Sequence, residues 1–172
     1  MKIYELSPER VFYYFGEICK IPHGSGNTEE ISRYLIDFAD RMRLSYKTDK
    51  TGNIAIYKKA TSDKKDSEPV ILQGHIDMVC TKADGVKKDM EKEGLDVLCD
   101  AEYVWANGTS LGADNGIAVA YMLAILEATD ISHPEITALF TVDEETGMTG
   151  AAELDKNILR GTRLINIDSE EE

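Results

Sequence analysis

The sequence predicts an α/β fold in which a mixed, mostly parallel sheet is flanked by helices. Three runs, at 70–74, 136–142 and 164–167, are almost continuously apolar and β-branched, which is typical of strands covered on both faces. Between the first two lies the segment 117–127, which is apolar on every side and is expected to form a helix packed inside a larger body. Strands that alternate with helices favour a sheet with parallel members.

Two amphipathic helices are predicted before the first of these strands. Ser7 and Pro8 resemble an N-cap followed by a proline in the first turn, and apolar residues then recur at helical spacing until Pro22. The segment 29–42 predicts a second helix, because its apolar residues repeat at i, i+3, i+4 and i+7. The turn-rich residues 23–27 join the two helices.

A hairpin and two loops complete the predicted elements. Residues 53–57 alternate between polar and apolar after a Thr-Gly turn, which is typical of a half-buried strand, and its expected partner is 44–48. The polar segment 58–69 and the charged segment 82–94 are expected to be exposed loops.

Composition and charge exclude several classes of function. The chain is 42% hydrophobic and 30% charged, which is the balance of one globular domain. Its 32 acidic and 19 basic residues give a net charge of -13, the wrong sign for attraction to nucleic acid or anionic lipid. The longest apolar run, 117–126, is about half the length of a membrane-spanning helix, and the first residues lack the apolar stretch of a signal peptide. We therefore expect a cytoplasmic protein with no nucleic-acid partner and no membrane partner.

The cysteines do not indicate a disulfide framework or a thiolate zinc site. Cys19, Cys80 and Cys99 are odd in number and form no C-x-x-C pair. We expect reduced and mostly buried thiols.

Charged or metal-binding side chains follow each of the three predicted strands. His75 and Asp77 follow the first strand, Glu144 and Glu145 follow the second, and Asp168 follows the third. Ligand sites of open α/β sheets lie at the carboxyl ends of the strands, so these side chains are expected to meet. His75 and Asp77 stand two residues apart on an extended segment and should project from the same face.

Asp114 is a further candidate ligand. Gly112 and Gly116 flank it and allow a close approach of a ligand, and the apolar helix that follows suggests a position deep in the body, where a carboxylate needs a partner or a metal. One histidine with several carboxylates suits zinc, manganese or cobalt. Each candidate also has a structural interpretation, as a satisfied histidine, a helix cap, exposed acidic surface or an acidic tail. The sequence contains no EF-hand, no P-loop and no G-x-S-x-G serine motif.

Four motifs resemble, in order and spacing, the metal-binding motifs of the di-zinc exopeptidases that include aminoacylase, carboxypeptidase G and carnosinase-type enzymes. They are LQGHIDMV at 72–79, GTSLGADNGI at 108–117, EETGM at 144–148 and NIDSEE at 166–171. Within this clan, the LGADNG and DSEE forms are most similar to the aminoacyl-histidine dipeptidases, also called Xaa-His or cytosol non-specific dipeptidases. The resemblance covers nearly the whole chain from Leu6 onward.

The resemblance implies a role for each candidate residue. It implies four ligands of two zinc ions, with manganese or cobalt as possible substitutes: His75 and Asp168 for the first ion, Glu145 for the second and Asp114 for both. It implies that Asp77 orients the ring of His75. Glu144 is implied as the general base of a hydrolysis that uses a zinc-bound hydroxide.

The implied function is that of a metallo-exopeptidase that hydrolyses Xaa-His and other unblocked dipeptides. Relatives continue through a lid and dimerisation domain and a second catalytic half, so residues 1–172 are expected to be the N-terminal part of the catalytic domain, inactive alone, of a homodimeric parent. The absent part is expected to supply a second-metal histidine and the groups that hold the substrate carboxylate. Three alternatives stay open: a tripeptide aminopeptidase, an N-acyl amino acid deacylase, and a catalytically silent fragment that binds metal or a partner chain.

Overall fold

The computed structural model describes residues 2–168 and contains a five-stranded sheet with its long helices packed on one face. The helices are α1 (Glu9–Ile18), α2 (Glu29–Arg41), α3 (Ala113–Glu127) and the short α4 (Thr149–Ala152). The strands are β1 (Ser45–Thr48), β2 (Ile54–Lys58), β3 (Val70–His75), β4 (Val97–Cys99), β5 (Val104–Ala106), β6 (Ile136–Thr141) and β7 (Arg163–Asn166). Among the helices of the described part of the chain, none combines the length and apolarity needed to cross a membrane.

The sheet is mixed and mostly parallel, as predicted. Its strand order is β1-β2-β6-β3-β7, with β3 parallel to both β6 and β7 and with β2 antiparallel to both β1 and β6. Four of the five strands therefore point in one direction. The strands β4 and β5 form a separate antiparallel hairpin.

The larger hydrophobic core lies between the sheet and helices α1, α2 and α3. Alternate residues of the central strands face these helices, among them Ile54, Ile56, Leu72, Ala138 and Phe140. The intervening residues face a smaller core on the other side of the sheet, formed by Ala55, Tyr57, Ile71, Leu139 and Ile158. Coverage of both faces explains why the runs at 70–74 and 136–142 are almost continuously apolar.

The helix and loop predictions are largely confirmed. α2 and α3 occupy the predicted segments, although α3 begins four residues before residue 117, at Ala113. α1 differs at its start, because Pro8 is the N-cap and makes no side-chain capping bond, so Ser7 does not cap the helix. The segments 58–69 and 82–94 contain no helix, and their only strand-type pairing is at Lys58, the last residue of β2, and at Lys82, which forms an isolated bridge to Thr109.

Two predictions about strands are wrong, and one hairpin was not predicted. β2 is not half-buried: Ile54 and Ala55 are both buried, because the smaller core covers the face expected to be solvated. β7 is not buried, since it is the last strand of the sheet and Leu164 and Ile165 are 55% and 52% exposed. The β4–β5 hairpin was not anticipated, because three-residue strands are too short to show a period.

A glycine in β3 lets the start of α3 approach the sheet. A Cβ atom at Gly74 would stand 2.4 Å from Oδ1 of Asn115 and 2.9 Å from Cβ of Ala118. Both distances are far below van der Waals contact, so the close packing of α3 on β3 requires glycine at this position.

We therefore expect Gly74→Ala to destabilise the protein by about 1–3 kcal/mol, since the new methyl group overpacks the β3–α3 interface. Thermal unfolding measures this as a fall in melting temperature of about 2–4 °C per kcal/mol. Gly116→Ala is the comparison, because a Cβ there meets only side-chain atoms of α1, the ring of Phe15 at 3.3 Å and Ile18 at 4.0 Å, on another face of α3. An equal effect of the two substitutions would contradict the proposed clash.

Candidate metal centre

The candidate residues lie where the carboxyl ends of three parallel strands meet. β3 stands between β6 and β7, and the chain passes from β3 through α3 to β6 on one side before it returns to β7 on the other. Such a switch in strand order opens a crevice at the strand ends, which is the usual ligand site of open α/β sheets. His75 ends β3, Glu144 and Glu145 follow β6, and Asp168 follows β7.

His75 is the central residue of the group. It is 1% exposed, and its Nδ1 atom lies 2.9 Å from the backbone oxygen of Asp77. A carbonyl oxygen only accepts hydrogen bonds, so Nδ1 carries a proton and Nε2 is the atom that can bind a metal. Nε2 lies 3.1 Å from Oδ1 of Asp114 and 3.8 Å from Oε2 of Glu144.

The electrostatic surroundings of His75 favour a positive charge. Burial lowers the pKa of His75, but the carboxylates of Asp77 and Asp114 outweigh burial and raise it to about 9. A cation on Nε2 would replace the second proton of the ring and face the same carboxylates.

Asp77 connects His75 to the two glutamates. Its buried carboxylate accepts hydrogen bonds from the backbone N–H of Glu144 at 3.0 Å and of Glu145 at 3.3 Å, and from Oγ of Ser25 at 2.7 Å. Burial alone would raise the pKa of Asp77, yet these bonds and the His75 ring lower it to about 2. Asp77 therefore stays ionised and holds the loops after β3 and β6 together.

Two sets of donor atoms could hold a metal ion within residues 2–168. They are His75, Asp114 and Asp168, and His75, Glu144 and Glu145, with the ligand atoms of each set within 4.8 Å of one another. Nitrogen and carboxylate oxygen donors suit zinc or manganese. Burial and the charges of Asp114 and Glu144 raise the pKa of Glu145, so the carboxylates repel one another unless a cation lies among them. The donor set therefore fits a divalent metal.

The structure corrects the expected environment of Asp114 and of the cysteine thiols. Asp114 is not deep in the body, since 69% of its side chain is exposed, because the start of α3 lies at the edge of the sheet. The thiols are not mostly buried: Cys19 is buried and Cys80 is exposed. Of the fourth motif, Asp168 is half-buried, whereas residues 169–171 lie outside the described part of the chain.

A cleft of about 710 Å³ adjoins Glu145 and Thr146. Its remaining walls come from the turn between α1 and α2, from the residues after β3 and from the charged loop: Gly24, Ser25, Gly26, Asn27, Met78, Val79, Cys80, Met90, Glu91 and Lys92. The cleft is large enough for a small ligand beside the candidate metal centre. Sequence reasoning did not assign residues 23–27 to the site.

Asn53 is another residue that sequence reasoning missed. Its side chain is fully buried and accepts from the backbone N–H of Val142, while its Nδ2 donates to the oxygen of Gly150 at 2.8 Å. It thus holds both ends of the loop that carries Glu144 and Glu145. The only signal in the sequence is a polar residue at the start of an apolar strand.

Comparisons with known proteins agree with this geometry. Residues 71–169, more than half of the chain, match the family described as Peptidase family M20/M25/M40. The chain is 41% identical over 168 residues to the cytosol non-specific dipeptidase of Escherichia coli (strain K12), an alignment that covers 98% of this chain and 35% of that protein.

Solved structures show the same fold. The crystal structure of aminoacylhistidine dipeptidase from Vibrio alginolyticus matches 100% of this chain with a TM-score of 0.97 and 41% identity, and the match covers 35% of that protein. A tripeptidase from Staphylococcus aureus matches 96% of this chain with a TM-score of 0.80 and 24% identity. The chain therefore spans about a third of the length of the two dipeptidases.

Proposed function

Because this chain belongs to peptidase family M20/M25/M40, we propose that it is the N-terminal part of the catalytic domain of a zinc-dependent dipeptidase. The family is metal-dependent, and the observation that carries the proposal is the donor set formed by His75, Asp114 and Asp168 at the carboxyl ends of the parallel strands. The dipeptidases from Escherichia coli and Vibrio alginolyticus, each 41% identical to this chain, support dipeptides as the substrate class.

The proposed metal ligands follow from the donor set. The structure brings His75 close to Asp114 and Asp168, and also to Glu144 and Glu145. With the roles that the resemblance implies, His75 and Asp168 would hold one zinc ion, Glu145 would hold a second, and Asp114 would contribute to both. When bound, the zinc ions supply a water of lowered pKa and polarise the scissile carbonyl. The backbone oxygen of Asp77 accepts the proton on Nδ1 of His75 and so fixes the orientation of the ring, with Nε2 toward Asp114.

Glu144 is the proposed general base. Its backbone N–H donates to the carboxylate of Asp77, which fixes the position of the Glu144 backbone. Its side chain is 31% exposed, so its carboxylate is accessible to water. A carboxylate in this position accepts the proton of the attacking water and passes it to the leaving amine.

The rest of the proposed protein lies beyond the part that this chain represents. We propose that it supplies a further histidine ligand, the groups that bind the substrate carboxylate, and a lid domain through which two copies associate. We also propose a cytoplasmic location, which is supported by the similarity to the cytosol non-specific dipeptidase of Escherichia coli. The net charge of -13 supports the absence of nucleic-acid and membrane partners.

The substrate class is tested on the whole protein with three panels: unblocked dipeptides including Xaa-His, tripeptides, and N-acetyl amino acids. We expect kcat/KM for the dipeptides to exceed the other two panels by more than about tenfold, because a site that pairs with the amine and the carboxylate at the spacing of a dipeptide discriminates against other substrates. N-acetyl amino acids lack the free amine, and the carboxylate of a tripeptide lies one residue further away. Protein stripped of metal serves as the control and should be inactive. Faster cleavage of tripeptides or of acetylated substrates would instead favour the aminopeptidase or the deacylase.

A further inference from the structure

The turn at residues 23–27 joins the two loops that carry candidate metal ligands. The hydroxyl of Ser25 donates to Oδ2 of Asp77 at 2.7 Å, and the backbone N–H of Gly26 donates to Oδ1 of Asp143 at 2.8 Å. Asp77 belongs to the loop after β3, whereas Asp143 belongs to the loop after β6. One short turn therefore contacts both loops.

The backbone anchors this turn beside the loop after β3. The N–H of Met78 donates to the oxygen of His23 at 3.1 Å, and the N–H of Ser25 donates to the oxygen of Met78 at 3.3 Å. These bonds fix the position of Ser25 independently of its side chain. The backbone therefore holds the hydroxyl of Ser25 where it can donate to the carboxylate of Asp77.

Ser25 donates to a carboxylate that also holds the backbone of the two glutamates in place. The Asp77 carboxylate is 1% exposed and also receives the N–H groups of Glu144 and Glu145. A hydrogen bond to a buried charge is among the stronger ones in proteins, and its loss would remove one of the three donors that hold the carboxylate in place.

The contact between Gly26 and Asp143 supports the same arrangement. Asp143 has a φ of +52°, in the left-handed region that side chains rarely adopt. Its side-chain bond to Gly26 stabilises this conformation, which turns the chain immediately before Glu144.

From this geometry we propose that Ser25 is a positioning residue of the metal centre. It acts through the Asp77 carboxylate, whose Oδ1 lies 3.4 Å from Nδ1 of His75 and which accepts from the backbone of the two glutamates. The proposal rests on the proposed metal-dependent function, since it concerns the placement of the same ligands. Ser25 also lines the 710 Å³ cleft, so the residue that orders the ligands forms part of the wall of the cleft.

The test compares Ser25→Ala, Ser25→Thr and Ser132→Ala in the 172-residue chain. Ser132 is the matched control, because its hydroxyl also donates to an aspartate, Asp63, but on an exposed loop outside the site. Calorimetric titration with zinc measures the affinity, and the melting temperature of the metal-free protein measures stability. We expect Ser25→Ala to raise the Kd for zinc about tenfold, the size typical of losing a residue that orients a ligand, whereas Ser25→Thr restores the affinity and Ser132→Ala leaves it unchanged.

A second measurement does not depend on zinc. The amide signals of Glu144 and Glu145 in the metal-free protein report the position of Asp77, to which both groups donate, and should shift in Ser25→Ala but not in Ser132→Ala. Unchanged signals and unchanged zinc affinity in Ser25→Ala would overturn the positioning role, as would a lower melting temperature with zinc affinity intact. Shifted signals in a chain whose native form binds no zinc would refute the zinc site proposed for this chain and leave the positioning of the glutamates supported.

Discussion

Zinc titrated into the 172-residue chain should fill about one site per molecule and raise its melting temperature. The chain holds three proposed ligands of the first ion, His75, Asp114 and Asp168, but only two of the second. At a zinc concentration one hundred times the Kd, binding to the folded state alone adds about 2.7 kcal/mol of stability. For a chain of this size the melting temperature then rises by roughly 5–10 °C. No measurable dipeptide hydrolysis is expected from the chain alone.

Asp168→Asn tests this assignment with little change in side-chain volume. It should weaken zinc binding at least about tenfold and reduce the rise in melting temperature. The reason is that it replaces one of the two carboxylates that, with His75, form the three-residue donor set. Asp66→Asn, in the exposed loop 58–69, makes the same change of charge outside the site and should have no effect. Two tight zinc sites in the native chain, or turnover of a dipeptide, would show that the missing part contributes less than we propose.

In the whole protein, Glu144→Gln should reduce turnover by about a hundredfold or more while the metal content stays nearly normal. The substitution removes a proton acceptor but leaves the proposed ligands intact. Kinetics and elemental analysis on the same preparation measure both quantities.

Glu145→Gln is the matched comparison, since it makes the same chemical change at the adjacent residue. It should lower the content of the second metal as well as the activity. Because both glutamates lie in one donor set with His75, geometry alone does not separate their roles. Loss of metal from Glu144→Gln, with retention in Glu145→Gln, would reverse the two assignments.

The grouping of the site residues could be predicted because it depends on a regular feature of the fold. Parallel strands end at the same edge of a sheet, so side chains that follow the strands meet whatever their distance in sequence. His75, Glu144 and Asp168 come together in this way. Their individual roles depended on the resemblance to known enzymes and stay proposals.

Other features could not be predicted because they depend on which segments become neighbours. The Asp77 carboxylate receives hydrogen bonds from Ser25 and Glu144, which lie 52 and 67 residues away in sequence, and no local pattern encodes such contacts. The exposure of β7 could not be predicted from the sequence either, because its local pattern of apolar residues is the same as that of a strand at the centre of a sheet.

The position of β7 also has a consequence for how a bound metal would leave. Asp168 lies two residues after the end of this strand, which in residues 2–168 pairs only with β3 and has all four of its residues exposed. Edge strands of this kind open at low free energy while the rest of a protein stays folded. Each opening would carry one ligand away from His75, so the residence time of the ion would follow local fraying of β7 rather than global unfolding.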